Sequence, residues 1–154
     1  MAMRDYFNLG SYSFPVTTNS RDTQIWFDRG LAWIYGFNHD EAAVCFRKAA
    51  DSDPGCAMAY WGEAYACGTF YNMTWEQFSE HETIEATGVC YRAAQSALAH
   101  AGSATSLEQA LVAALACRFQ SWIDMRQRDR PRRQFARIGP INPPESGGYA
   151  CVAT

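Results

Sequence analysis

Apolar positions along this chain recur at 3- and 4-residue steps, and polar, proline or glycine clusters interrupt them, which is the pattern of a string of helices. The clearest face is Ala42, Cys45, Phe46 and Ala49. A first helix is expected from about Thr23 to Tyr35, with Gly36 as a left-handed stop. Asn38 is placed to cap the second helix, with Glu41 three residues on in capping-box register. Asp53-Pro54-Gly55 ends that helix, because proline cannot continue the hydrogen-bond ladder. A third helix, from about Ala57 to Cys67, is small on one side (Ala57, Ala64) and aromatic on others (Tyr60, Trp61, Tyr65). Thr74 and Gln77 form a second capping-box pattern before a short helix from Trp75 to about His81. Two longer helices follow. One covers about Thr83 to Ala101, with Val89, Ala93, Ala97 and His100 near one face. The other starts at Thr105, paired with Glu108, and runs through Leu111, Leu115 and Phe119 to about Met125. Residues 1–22 read as an irregular leader, 23–125 as one helical domain, and 126–154 as a disordered tail rich in Arg, Pro and Gly.

Six of these residues also stand at the offsets of a single repeat. Trp26, Gly30, Ala42, Phe46, Ala49 and Pro54 follow the 34-residue tetratricopeptide pattern, with Arg29 in place of its Leu and Trp33 in place of its Tyr. Tyr60 and Ala64 lie one period after Trp26 and Gly30. The second unit then departs from the pattern, since Glu76 and Glu80 stand where Ala and Phe are expected. One repeat and half of another are therefore legible. The fold class is all-α, a tetratricopeptide-like helical hairpin with additional packed helices.

The segments WFDRGLAWIYGFNHDEAAVCFRKAADSDP (26–54) and CAMAYWGEAYACGTFYN (56–72) resemble a distinct group of tetratricopeptide-repeat proteins found in bacteria and filamentous fungi. GFNHDEA and AMAYWG carry the resemblance furthest, because the repeat consensus demands neither. Members of that group usually have a Gly-Pro pair where this chain reads Gly68-Thr69, and they are typically several times longer. The chain thus looks like a short or truncated member. The resemblance implies a helical scaffold that holds another molecule.

Composition narrows the classes. The chain has 154 residues, 48% of them apolar and 14% aromatic, enough for one domain with a real core. Its longest apolar run, Leu111 to Cys117, is far short of the roughly 20 residues that span a bilayer. The N-terminus reads as no signal peptide. Six cysteines lie far apart without a C-x-x-C pair, and most sit among Ala, Val and aromatic residues, where a reduced thiol acts as a small apolar side chain; their even number leaves a disulfide reading open. A cytoplasmic location is expected on these grounds. The formal charge of −3 divides unevenly: residues 126–154 carry +4 and the remainder −7. An acidic body with a basic tail is not a nucleic-acid-binding profile. The run Arg126, Arg128, Arg130, Arg132 and Arg133 reads as a solvated tail before it reads as a phosphate or membrane contact. Cys151-Val152-Ala153-Thr154 fits the prenylation box, with the Arg run as its usual companion; lipidation of Cys151 would be the one route to a membrane.

Candidate chemistry is sparse. Asn38-His39-Asp40-Glu41 could bind a metal or supply a base through His39, but the same residues serve as a helix cap and first turn, and the spacing is not that of a metal site. No metal, cofactor or catalytic constellation is expected. Phe27, Trp33, Phe37, Trp61, Tyr65, Phe70, Tyr71 and Trp75 read first as core. Phe27 and Trp61 share a repeat position on the inner helices, where they would line an apolar groove for a protein partner, with Tyr65, Tyr71 and Asn72 nearby. A basic clamp for a C-terminal carboxylate is not expected, since Phe27-Asp28 and Trp61-Gly62 occupy the inner positions and Lys48 is the only lysine. Two functions follow. The first is a non-catalytic protein-interaction module using that groove. The second is a small-molecule-binding accessory protein or enzyme of a fungal secondary-metabolite pathway, taking a hydrophobic ligand with His39 and Glu41 as polar anchors. A truncated fragment without independent function is the third outcome.

Overall fold

The computed structural model describes residues 7–70 and 72–119, leaving aside the side chain of Trp75. Among them are five α-helices and no strand, so the chain is all-α: α1 Arg21–Tyr35, α2 His39–Ser52, α3 Ala57–Ala66, α4 Glu80–His100 and α5 Ser106–Arg118. Among the described residues no helix is long and apolar enough to cross a membrane.

Capping residues set most boundaries. The side chain of Ser20 accepts from the Thr23 N–H, so α1 begins two residues before the expected Thr23. Asn38 caps α2 through the Glu41 N–H as its spacing predicts. Thr105 and Glu108 close a complete capping box on α5. The expected helix from Trp75 to His81 shrinks to a 3-10 turn at Trp75–Gln77, with the Thr74 N–H on the Gln77 side-chain oxygen at 2.7 Å. Ser79 and Glu82 form another complete capping box just beyond it, and that stronger signal starts α4 at Glu80. Residues 120–125, where the last helix was expected to continue, and the tail at 126–154 lie outside the described residues.

The stop after α1 also differs from expectation. Gly36 has φ −83°, and the left-handed residue is Phe37 at φ +60°. The Asn38 N–H reaches the Trp33 carbonyl and the Phe37 N–H the Ile34 carbonyl, both at 2.9 Å, which is the paired bonding of a Schellman stop set one residue later than Gly36. A bulky residue rarely adopts this backbone conformation.

Helix directions follow from who touches whom. Thr23 Oγ1 donates to the Ala49 carbonyl at 3.1 Å, and Phe27 packs on Phe46 at 5.4 Å, so α1 and α2 are antiparallel. Arg47 on α2 pairs with Glu63 on α3, and His39 meets the Ala66 carbonyl, so α3 reverses again. Tyr60 stacks on His100 while Gly68, just past α3, abuts Cys90, which makes α4 antiparallel to α3. The Trp61 indole donates to the Leu111 carbonyl at 3.2 Å and Phe119 lies by Gly68, so α5 runs parallel to α3.

Phe46 is the centre of the first core. Its ring is fully buried between two helices that carry glycine where they meet it. A Cβ on Gly30 would come within 2.6 Å of that ring, and one on Gly62 would overlap it. Phe27, Leu31, Ala42, Ala49 and Met58 belong to this cluster. A second cluster joins α3, α4 and α5 through Ala64, Cys90, Ala94, Leu115 and Phe119.

The segment before α1 is irregular but held down. Phe14 and Val16 pack on the core, and their N–H groups donate to Asp28 and Gln24. Thr17 donates both its N–H (2.7 Å) and its hydroxyl (2.5 Å) to Glu108, ninety-one residues away. Glu108 is only 2% exposed and also takes both donors of Thr105. Burial by itself would raise its pKa; the hydrogen bonds from Thr17 and Thr105 outweigh that and leave the carboxyl below its usual value.

Candidate functional site

The first residue of α2 and the last of α3 are neighbours because these helices are antiparallel. That places His39 against the Ala66 carbonyl, with Nδ1 3.2 Å from the oxygen. A carbonyl can only accept, so Nδ1 carries the ring proton and Nε2 presents a lone pair. Beyond α3 the chain makes a tight turn in which Phe70 and Met73 exchange both backbone hydrogen bonds. This turn lays the Phe70 ring flat on the imidazole, with centroids 3.7 Å apart and planes 11° from parallel. Arg118 of α5 holds the turn from the other side through the Thr69 carbonyl and hydroxyl. His39 is left 8% exposed, and desolvation lowers its pKa from 6.5 against the smaller opposing effects of the Ala66 carbonyl and Asp40. It is a neutral imidazole at pH 7.

Around that imidazole lies an open cleft of about 520 Å3, within the size range of ligand sites. Phe37, His39 and Asp40 form one wall. Ala66, Cys67, Gly68, Phe70 and Met73 form the floor. Phe78 and the α4 residues Glu82, Glu85, Ala86 and Val89 form the opposite wall. Phe37 is 56% exposed at the cleft and holds φ +60°. The Glu82 carboxyl is held below its usual range by hydrogen bonds from Ser79, side chain and backbone. Burial pushes the Cys67 thiol up to about 11 although the Arg47 guanidinium, 3.7 Å away, opposes the shift. Cys67 is thus a protonated thiol rather than a ready nucleophile. Among the described residues no group of His, Cys, Asp and Glu is arranged to hold a metal.

The residues expected to bind are dispersed. Phe27 is fully buried between Phe14 and Phe46 and cannot touch a partner; the groove it was expected to line is filled by the core. Trp61 is half-buried, its indole N–H committed to Leu111, because α5 packs where an open inner surface was expected. Tyr65 is 40% exposed and stacks on Trp61 at 5.2 Å, away from the cleft. Asn72 is exposed in the 70–73 turn, and Tyr71 beside it lies outside the described residues, as does Cys151. His39 is in the cleft; Glu41 is exposed on α2 and does not line it. Met73, Phe78, Glu82 and Glu85 are cleft residues that sequence reasoning did not single out. One signal was available: Glu82, Glu85, Ala86 and Val89 recur at 3- and 4-residue steps and so share a helix face.

The cysteines divide. Cys45, Cys56, Cys67 and Cys90 are free thiols, whereas Cys117 is disulfide-bonded, the reading that the even number of cysteines left open. Comparison of the chain with models of protein families, with curated proteins and with solved structures gives no match.

Proposed function

We propose that this chain is a non-catalytic binding protein built on a tetratricopeptide-like hairpin, with the cleft around His39 as its ligand seat. The observation that carries this reading is Phe37. An exposed phenylalanine held at φ +60° costs on the order of 1–3 kcal/mol, and such strain concentrates at functional sites. It stands next to the nearly buried imidazole of His39, which is held by the Ala66 carbonyl and the Phe70 ring. The repeat signature supports the scaffold: Gly30, Ala42, Phe46 and Ala49 all meet in the first hairpin, and α3 and α5 run parallel as the leading helices of successive hairpins would. A cytoplasmic location belongs to this reading and rests on the four free thiols; the bonded Cys117 weighs against it.

The test is a fragment screen followed by amide chemical-shift mapping on the whole chain. Bound fragments should perturb residues 37–40, 66–73 and 82–89, and Phe37→Gly should weaken them several-fold while raising the denaturation midpoint. Perturbations confined to other surfaces, or unchanged binding by Phe37→Gly, would sink the proposal.

A second reading retains a protein partner, on a different surface from the groove first expected. Tyr12 (58% exposed) and Tyr35 (68%) meet edge-on at 6.3 Å at the end of α1, and Phe7 lies edge-on to Trp33 nearby. Such an aromatic patch is unusual for a surface without a partner. Once a partner is purified, Tyr12→Ala with Tyr35→Ala should abolish its binding and Asp40→Asn should not; the reverse pattern would return the interaction to the cleft.

A further inference from the structure

Away from the cleft, one polar atom of the first hairpin is left unsatisfied. Arg29 Nε is shut off from solvent and has no hydrogen-bond partner. A stranded N–H on a charged group is costly and uncommon in a packed fold. Its place in the sequence adds to the anomaly, because the repeat pattern has Leu where this chain has Arg29. A leucine there would need no partner.

A second cation stands beside it. The Arg29 guanidinium lies over the Trp26 indole, 5.7 Å from the ring centroid, and the Lys48 ammonium of α2 lies over the same residue at 4.3 Å. Neither cation makes an ion pair among the described residues. The buried Cys45 thiol registers their field: burial raises its pKa, and Arg29 and Lys48 are the main opposing influences, ahead of the exposed Glu41 one turn back on α2, which adds to the rise. Residues 1–125 carry a formal charge of −7, so two neighbouring cations without a carboxylate partner are an exception on this surface. The cation–π contact uses the face of the indole and supplies no lone pair to Arg29 Nε. An oxyanion would. Nε–H and a terminal N–H of a guanidinium form the fork that takes two oxygens of one group side by side. Two positive charges favour a dianion over a single carboxylate.

We propose that Arg29 and Lys48 form a site for a phosphate group, either free phosphate or the dianionic end of a small phosphomonoester. Arg29 donates from Nε and a terminal nitrogen, Lys48 adds its ammonium, and Trp26 forms the apolar side. Nε is covered in the free chain, so the anion enters as the exposed, flexible Lys48 side chain turns aside and then closes on it. None of these residues lines the cleft, and the site stands independently of the ligand seat there.

Titration of the full chain with inorganic phosphate, against sodium chloride at matched ionic strength, tests this. The Arg29 Nε–Hε and Trp26 indole resonances should move saturably with phosphate and stay in place with chloride. The urea midpoint should rise with phosphate, as binding to the folded chain alone requires. Arg29→Leu restores the residue of the repeat pattern. It should be at least as stable as the parent without phosphate, because it removes the stranded donor, and should weaken phosphate binding more than about tenfold. Lys48→Gln loses one exposed charge and should weaken binding by no more than about fivefold. Phenyl phosphate binding more tightly than phosphate assigns the site to an ester lying on Trp26, and equal binding assigns it to the free ion. An Arg29 resonance that responds equally to chloride, or an undiminished phosphate response in Arg29→Leu, overturns the site. So does a loss of stability in Arg29→Leu without phosphate, which would make Arg29 a packing cation on Trp26 and nothing more.

Discussion

The two helical hairpins differ most in how they are joined. Between α1 and α2 the chain takes three residues, 36–38, and the helices close on each other around Phe46 with glycine at the contact. Between α3 and α4 it takes the whole stretch from Cys67 to Ser79, with a tight turn at 70–73 and a 3-10 turn at Trp75–Gln77. The short joint, with Phe37 at its middle, forms one edge of the cleft. The long one turns back so that Phe70 stacks on His39 of the first hairpin, and the cleft lies between this turn, the start of α2 and the first turns of α4. Similar local helix signals thus yield a tight joint in one hairpin and, in the other, a long joint that forms the floor of a recess shared by both. What separates them is connector length and where the surrounding aromatics point.

The largest expected effect probes the closed hairpin. Phe46→Ala should cost about 3–5 kcal/mol, as removal of a fully buried aromatic does, whereas Phe70→Ala in the half-buried turn should cost no more than about 1.5 kcal/mol. Urea denaturation of both variants measures the contrast, and equal losses would erase the distinction between packed and open hairpins.

Next comes the clasp that holds α5 to the N-terminal segment. Glu108→Ala strands four donors on Thr17 and Thr105 and should cost about 2–4 kcal/mol. Because the folded carboxyl titrates below its ordinary value of 4.5, its contribution is complete above that pH and is lost as pH falls through the lowered folded value. A denaturation midpoint in Glu108→Gln with the same acid sensitivity as the parent would contradict this.

A smaller effect belongs to the cleft between the two hairpins. His39 has a folded pKa below 6.5, so the unfolded chain takes up its proton first and stability declines as pH drops from about 6.5 toward the folded value. Comparing midpoints at pH 7.5 and pH 5.5, His39→Gln should show a shallower decline than the parent. An equally steep decline would mean that the imidazole is not buried in solution.

The smallest effect has the opposite sign. Phe37→Gly relieves a left-handed phenylalanine and should stabilise the fold by about 0.5–1 kcal/mol, allowing for the extra freedom glycine brings to the unfolded chain. Loss of stability on thermal melting would show that Phe37 contributes packing that outweighs its strain.

Helices were legible in this chain because their signals are local. Asn38 with Glu41 and Thr105 with Glu108 mark helix starts through atoms three residues apart, and both caps form. The small and aromatic residues of the first repeat signature were also readable, since their offsets follow helical geometry and they meet around Phe46. Much less of the site could be read. His39 and Asp40 were visible as a cluster, but as a cap; the imidazole's burial comes from Ala66 and Phe70, about thirty residues further along the chain. Phe27 and Trp61 were assigned to an open groove because repeat position alone does not say that Phe14 and α5 will cover them. Glu108 was recognised for its cap and missed as a clasp, since its partner Thr17 lies at the other end of the domain. Local hydrogen bonds and side-chain periodicity determine which segments become helices. Exposure, strain and the partners of buried polar groups depend on distant segments arriving at the same place, and here that was decided by the length of one connector and the return of α5.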